Sequence, residues 1–169
     1  MPGSLTDIAH IRRELMGVHD EIHSDSDMGV IDGLFGKSGD TSDGTDPTEN
    51  RKYAILLNAG PDRTPVAGNG FNYALEFDDA GYDVQLFLDG EATKWPAAFE
   101  ENPDRPFNHD WEQIQQRGLL AGACGYCANA FDVADACENS GIDLLSDKTE
   151  HAPAVAMLAE EGYQMLTVG

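Results

Sequence analysis

Positive charge is scarce in this chain: 10 Lys and Arg stand against 31 Asp and Glu, giving a formal net charge of −21 over 169 residues. Four of the cations are lysines, and Arg12, Arg13, Arg51, Arg63, Arg105 and Arg117 form no basic stripe. Such a surface repels phosphate and anionic lipid, which excludes nucleic acid as a partner. No run approaches the ~18 consecutive apolar residues of a membrane span, and the N-terminus lacks the charged-then-apolar pattern of a signal peptide. A cytoplasmic protein with no membrane association is expected. Cysteine is limited to three residues, too few for a disulfide scaffold and odd in number, as fits reduced thiols in a reducing compartment. There is no Walker loop, no G-x-G-x-x-G after a strand and no serine nucleophile elbow, so nucleotide, dinucleotide and hydrolase readings have no support and no cofactor is expected.

The acidic residues are scattered rather than gathered in a tail, a composition like that of halophile proteins, whose dense carboxylates keep the surface solvated in concentrated salt. Over residues 1–26, Leu5, Ile8, Ile11, Leu15, Val18 and Ile22 recur every three or four positions and predict an amphipathic helix. Such a helix needs its own domain, a copy from another subunit or a partner to cover its seam. Residues 27–50 end in a Gly/Ser/Thr/Asp segment too polar to offset the entropy of ordering, and read as an acidic flexible linker. Within it, Asp40, Asp43 and Asp46 lack the alternate-residue spacing of an EF-hand loop.

From Arg51 the pattern becomes alternating strand and helix. Apolar runs at Tyr53–Leu57, Val84–Leu88 and Leu119–Ala123 predict strands, with Ile142–Leu145 a short one and Tyr163–Val168 the last. Helices are predicted over Val66–Ala80, with Gly81 as its cap, then Cys127–Asn139 and Pro153–Glu161, with one or two turns at Trp111–Arg117. Near-continuous apolar strands joined through helices imply parallel crossovers and a three-layer α/β/α sandwich with a mainly parallel sheet. Ligands collect beyond the C-terminal strand ends of such sheets, where the Asn58 loop, the Asp89-Gly90 turn and Cys124 converge.

Cys124 is the chemically privileged group, because it lies where a buried strand turns into a helix. Unpaired N–H groups and the positive end of the macrodipole stabilise a thiolate there, which requires only access to become a nucleophile. The alternative is a small residue packing the strand end. Cys127, three residues on, reads equally as a resolving thiol or as a structural residue. Cys137 falls on a different helix face and reads as core. A zinc site would need two further ligands from His109, His151 and Cys137, but the spacing matches no ribbon or finger, so no metal is expected. His19 and His23, at i,i+4 on the N-terminal helix, read as solvated. His109 and Trp111 lie on the long loop before the cysteine strand, placed either to close over the sulfur or to cover an apolar edge. Asn58 either offers its amide to the sulfur or satisfies its own turn.

The segment Cys124-Gly-Tyr-Cys-Ala-Asn-Ala130, followed by a helix, a Gly-Ile-Asp segment, a second helix and a terminal strand, resembles the CGxCxxA block of the DsrE/DsrF-like superfamily. Asn58-Ala-Gly-Pro61 after the first strand, and Tyr82-Asp-Val-Gln-Leu-Phe-Leu-Asp-Gly90, are similar to that family's first two strands with their glycine-containing turns. The resemblance spans residues 51–169. It implies a flavodoxin-like sandwich that assembles as a homo-oligomer, trimer or hexamer, or with related subunits. It further implies a sulfurtransferase or persulfide carrier that exchanges sulfur with donor and acceptor proteins, with Cys124 at the position of the relay cysteine. Where many members carry Arg-Gly, this chain has Phe131-Asp132, which removes a positive charge near an anionic sulfur. Two rivals stay open: a thiol-disulfide redox protein or sensor using Cys124 and Cys127, and a non-catalytic assembly module.

Overall fold

The computed structural model describes residues 51–169; the helix expected over 1–26 and the linker over 27–50 lie outside the described residues. Strand β1, Lys52–Leu57, is followed by a 3-10 turn at Pro61–Arg63 and helix α1, Thr64–Asp79. A cap closes α1: Gly81 takes a φ of 82°, and Tyr82 N–H donates to the Phe77 carbonyl at 3.0 Å. Strand β2, Asp83–Leu88, leads through a second 3-10 turn, Gly90–Lys94, into α2, Trp95–Glu101, and α3, Asn108–Gln116. After β3, Leu120–Ala123, come α4, Gly125–Ala130, α5, Ala134–Asn139, and α6, Val155–Glu160, before β4, Tyr163–Val168.

The sheet has four parallel strands in the order β3-β2-β1-β4 among the described residues. Side-chain alternation sends Ile55, Leu57, Leu86 and Leu88 to one face, against Phe71, Trp95, Trp111 and Ile114. Ala54 and Phe87 face the other way, toward Leu158 and Tyr163. Helices therefore cover both faces in a three-layer α/β/α, flavodoxin-like sandwich. None of the described helices is long and apolar enough to cross a membrane.

Two elements differ from expectation. The single helix predicted over Cys127–Asn139 is broken into α4 and α5 by Asp132, whose φ of 56° is left-handed. Val133 N–H closes that break on the Ala128 carbonyl at 2.8 Å, and Cys137 in α5 is fully buried; aspartate is one of the few non-glycine residues found in this conformation. Ile142–Leu145 forms an isolated bridge, Ala123 to Leu144, instead of a strand.

Register sets the position of the site. Leu57 pairs with both Leu88 and Val168, and Leu88 pairs with Ala123, so the C-terminal strand ends are level. The next residue of each strand continues the ladder: Asn58 N–H donates to Val168 (2.8 Å), Asp89 N–H to Leu57 (2.9 Å) and Cys124 N–H to Leu88 (2.8 Å). Asn58, Asp89 and Cys124 therefore stand side by side along one sheet edge.

Candidate functional site

Cys124 is the N-cap residue of α4, and Cys127 follows within its first turn. A residue pair at this spacing lies on one side of a helix start, so both sulfurs face the same way. The segment after the Ala123–Leu144 bridge then returns across them. Gly125 N–H donates to Ser146 Oγ at 3.1 Å, and a Cβ on Gly125 would collide with the Ser146 carbonyl oxygen, so only glycine admits that backbone here. Farther along, His151 Nδ1 lies 3.7 Å from each of Cys124 Sγ and Cys127 Sγ. Ala152 N–H donates to Cys124 Sγ at 3.4 Å. The Tyr126 ring lies against the imidazole with centroids 4.2 Å apart, which fixes the orientation of an otherwise exposed histidine.

Asp89 completes the cluster from the β2 end. Its Oδ1 accepts the Gly90 N–H at 2.8 Å and lies 3.3 Å from Cys127 Sγ. Burial first, then the adjoining Cys124 and the Asp89 carboxylate, push the Cys127 thiol up to about 12, with the Gly90 N–H opposing. Cys127 is therefore protonated at neutral pH and donates its S–H to Asp89.

The sulfur of Cys124 is not open, contrary to the sequence-based expectation: the residue is 0 % exposed, because the segment 146–152 covers it. The three cysteines are all free and buried. Cys137 is core as expected, its Sγ 3.5 Å from the Thr93 carbonyl, and so is not a partner for the other two.

The remaining predicted site residues go elsewhere. Trp111 is 4 % exposed and stacks on Phe99, with ring centroids 5.4 Å apart, inside the cluster that includes Phe71. Of the two places expected for Trp111, the one over the sulfur is corrected to apolar packing, because α3 begins earlier than predicted and turns Trp111 and Ile114 toward the sheet. His109 is exposed on the same helix. Asn58 donates its amide to the Leu56 carbonyl at 3.4 Å and borders Gly90, where a Cβ would meet its Oδ1 at 3.2 Å; it supports the turn that holds Asp89. Phe131 carries Lys94 Nζ over its ring at 4.1 Å, a cation-π contact.

Sequence reasoning placed the Asp89-Gly90 turn at the sheet edge of Cys124 and named His151 as a possible zinc ligand, but assigned neither residue a role beside the sulfurs. Asp89 is the first residue beyond a buried parallel strand, which was the available signal; His151 had none beyond being an imidazole downstream of a CxxC pair.

A parallel α/β sandwich with a CxxC pair at a strand-to-helix junction is a thiol-bearing member of the doubly wound class. The DsrE/DsrF-like family matches residues 51–168, and the chain belongs to that family, whose type is sulfur relay. A conserved protein of unknown function from Bacteroides thetaiotaomicron is similar in structure, with a TM-score of 0.54 and 20 % sequence identity over 73 % of this chain and 100 % of that one. No curated protein matches the chain.

Proposed function

We propose that this protein carries sulfur as a persulfide on Cys124. The observation that carries the reading is the cysteine's place as N-cap of α4 beside an imidazole and a backbone N–H, in a family of sulfur-relay type. The Cys124 thiolate attacks the outer sulfur of a donor R–S–SH. A new S–S bond forms to Cys124, the donor's S–S bond breaks, and the donor leaves as a thiolate. Attack by an acceptor thiolate on the outer sulfur reverses these roles and regenerates Cys124, so the cycle is redox-neutral. His151 takes the Cys124 proton, and Ala152 N–H stabilises the charge that develops on the sulfur.

Cys127 stays a protonated bystander in this cycle, its S–H held by Asp89. A thiol held up to about 12 is a poor attacking group near neutral pH, which favours retention of the carried sulfur over immediate closure to an internal disulfide. Because Cys124 is covered, exchange requires the segment 146–152 to move aside. Donor and acceptor are thiol proteins, the setting is the cytoplasm, and the protein works as a homo-oligomer or with related subunits.

Intact-mass measurement after incubation of the reduced, metal-free chain with a small persulfide donor tests the reading. A gain of roughly 32 Da, one sulfur atom, that is lost in Cys124→Ser supports it. Loss of two hydrogens as an internal Cys124–Cys127 disulfide, without sulfur gain, would instead support a thiol-disulfide sensor.

A further inference from the structure

We infer that Asp89, Cys124, Cys127 and His151 form a four-ligand site for a borderline divalent cation of the Zn2+ class. One donor atom from each residue, a carboxylate oxygen, two sulfurs and an imidazole nitrogen, lies within 4.8 Å of the other three. Tetrahedral zinc with Zn–S of ~2.3 Å and Zn–N or Zn–O of ~2.0–2.2 Å has ligand-to-ligand edges of about 3.4–3.8 Å. The observed edges include 3.7 Å from His151 Nδ1 to each sulfur and 3.3 Å from Cys127 Sγ to Asp89 Oδ1. Three of the six edges are thus close to coordination spacing and all six lie within 4.8 Å, although the groups come from three separate parts of the chain.

The surroundings suit a metal. Ala152 N–H points at Cys124 Sγ, and Gly90 N–H holds Asp89 Oδ1. Such outer contacts orient ligands and moderate thiolate charge. The Tyr126 ring fixes the imidazole with Nδ1 toward the sulfurs. Two thiols and an imidazole select zinc over magnesium or calcium, which prefer all-oxygen ligand sets. Metal binding displaces the thiol protons, and a divalent cation offsets two of the three negative charges that the two thiolates and the carboxylate then carry.

Four protein ligands leave no open position, so the ion fastens the segment 146–152 to the sheet edge and acts as a closure, not as a Lewis acid. It competes with sulfur for Cys124 Sγ. The site stands on geometry alone and does not depend on whether Cys124 accepts sulfur.

Titration of the full-length, reduced, chelator-treated chain with Co2+ under anaerobic conditions, followed by Zn2+ displacement, tests this inference. One Co2+ per chain is expected, with sulfur-to-cobalt charge-transfer absorption and the intense d–d bands of a tetrahedral site. His151→Ala, at an exposed position, and Asp89→Asn weaken binding by at least roughly tenfold, with folding checked by circular dichroism. His109→Ala, at an exposed position on α3, leaves binding unchanged. Absence of the charge-transfer band at stoichiometric Co2+ overturns the inference. So does tight binding that persists in the Cys124→Ser/Cys127→Ser double variant. Sulfur uptake by the metal-free chain is a separate readout, so either reading can fail alone.

Discussion

Gly125 lies directly beneath Ser146: its N–H donates to Ser146 Oγ at 3.1 Å, and there is no room for a Cβ between its Cα and the Ser146 carbonyl. The glycine of the CGxC motif is therefore the residue that lets the covering segment lie flat over Cys124.

Gly125→Ala should displace that cover. The clash is with backbone, which cannot rotate away as a side chain does, so destabilisation of about 1–3 kcal/mol is expected. Alkylation of Cys124 by iodoacetamide should accelerate several-fold as the segment 146–152 lifts. Parallel measurement of the urea midpoint and of the alkylation rate checks both effects; a variant with wild-type values in each would contradict the packing described.

Alkaline pH should destabilise the fold. Burial, then Glu138, pushes the Cys137 thiol from 9.0 up to about 11, and burial, then Asp83 and Glu161, pushes Tyr163 from 10.0 up to about 12. Both are neutral when protonated, so the folded chain keeps protons that the unfolded chain releases. Their contribution is complete below about pH 9 and is lost as pH rises toward the folded values. Urea unfolding at pH about 8 and about 10.5 should show a smaller loss for Cys137→Ala than for wild type, whatever packing the substitution costs at both pH values. Equal losses would rule out Cys137 as a contributor.

Salt should stabilise. A net charge of −21 opposes compaction, and the screening length falls to ~3 Å at 1 M salt. The midpoint of thermal unfolding is expected to rise steadily with KCl concentration. A flat or falling midpoint would remove the link between the acidic surface and a saline setting.

The parallel strands were legible because each is a short, nearly unbroken apolar run ended by a turn residue, and the level strand ends followed from the fold class. The helix break at Asp132 was not, because the Cys127–Asn139 stretch has helical spacing and a lone aspartate carries no strong breaking signal. By sequence, Trp111 falls in the long loop before the cysteine strand, although its i,i+3 spacing with Ile114 already marks an inward face. The cover over the sulfurs was hidden most completely. Residues 145–154 carry no periodicity, and the Gly125–Ser146 approach arises only once β3 and the Leu144 bridge are assembled.

Peptide mapping of the donor-treated, metal-free chain after differential alkylation tests the central claim most directly. The account predicts a sulfane sulfur on the peptide bearing Cys124, retained in Cys127→Ser and absent in Cys124→Ser. A persulfide found on Cys127 or Cys137 instead, or none on any cysteine while the two site thiols close to a disulfide, would contradict it.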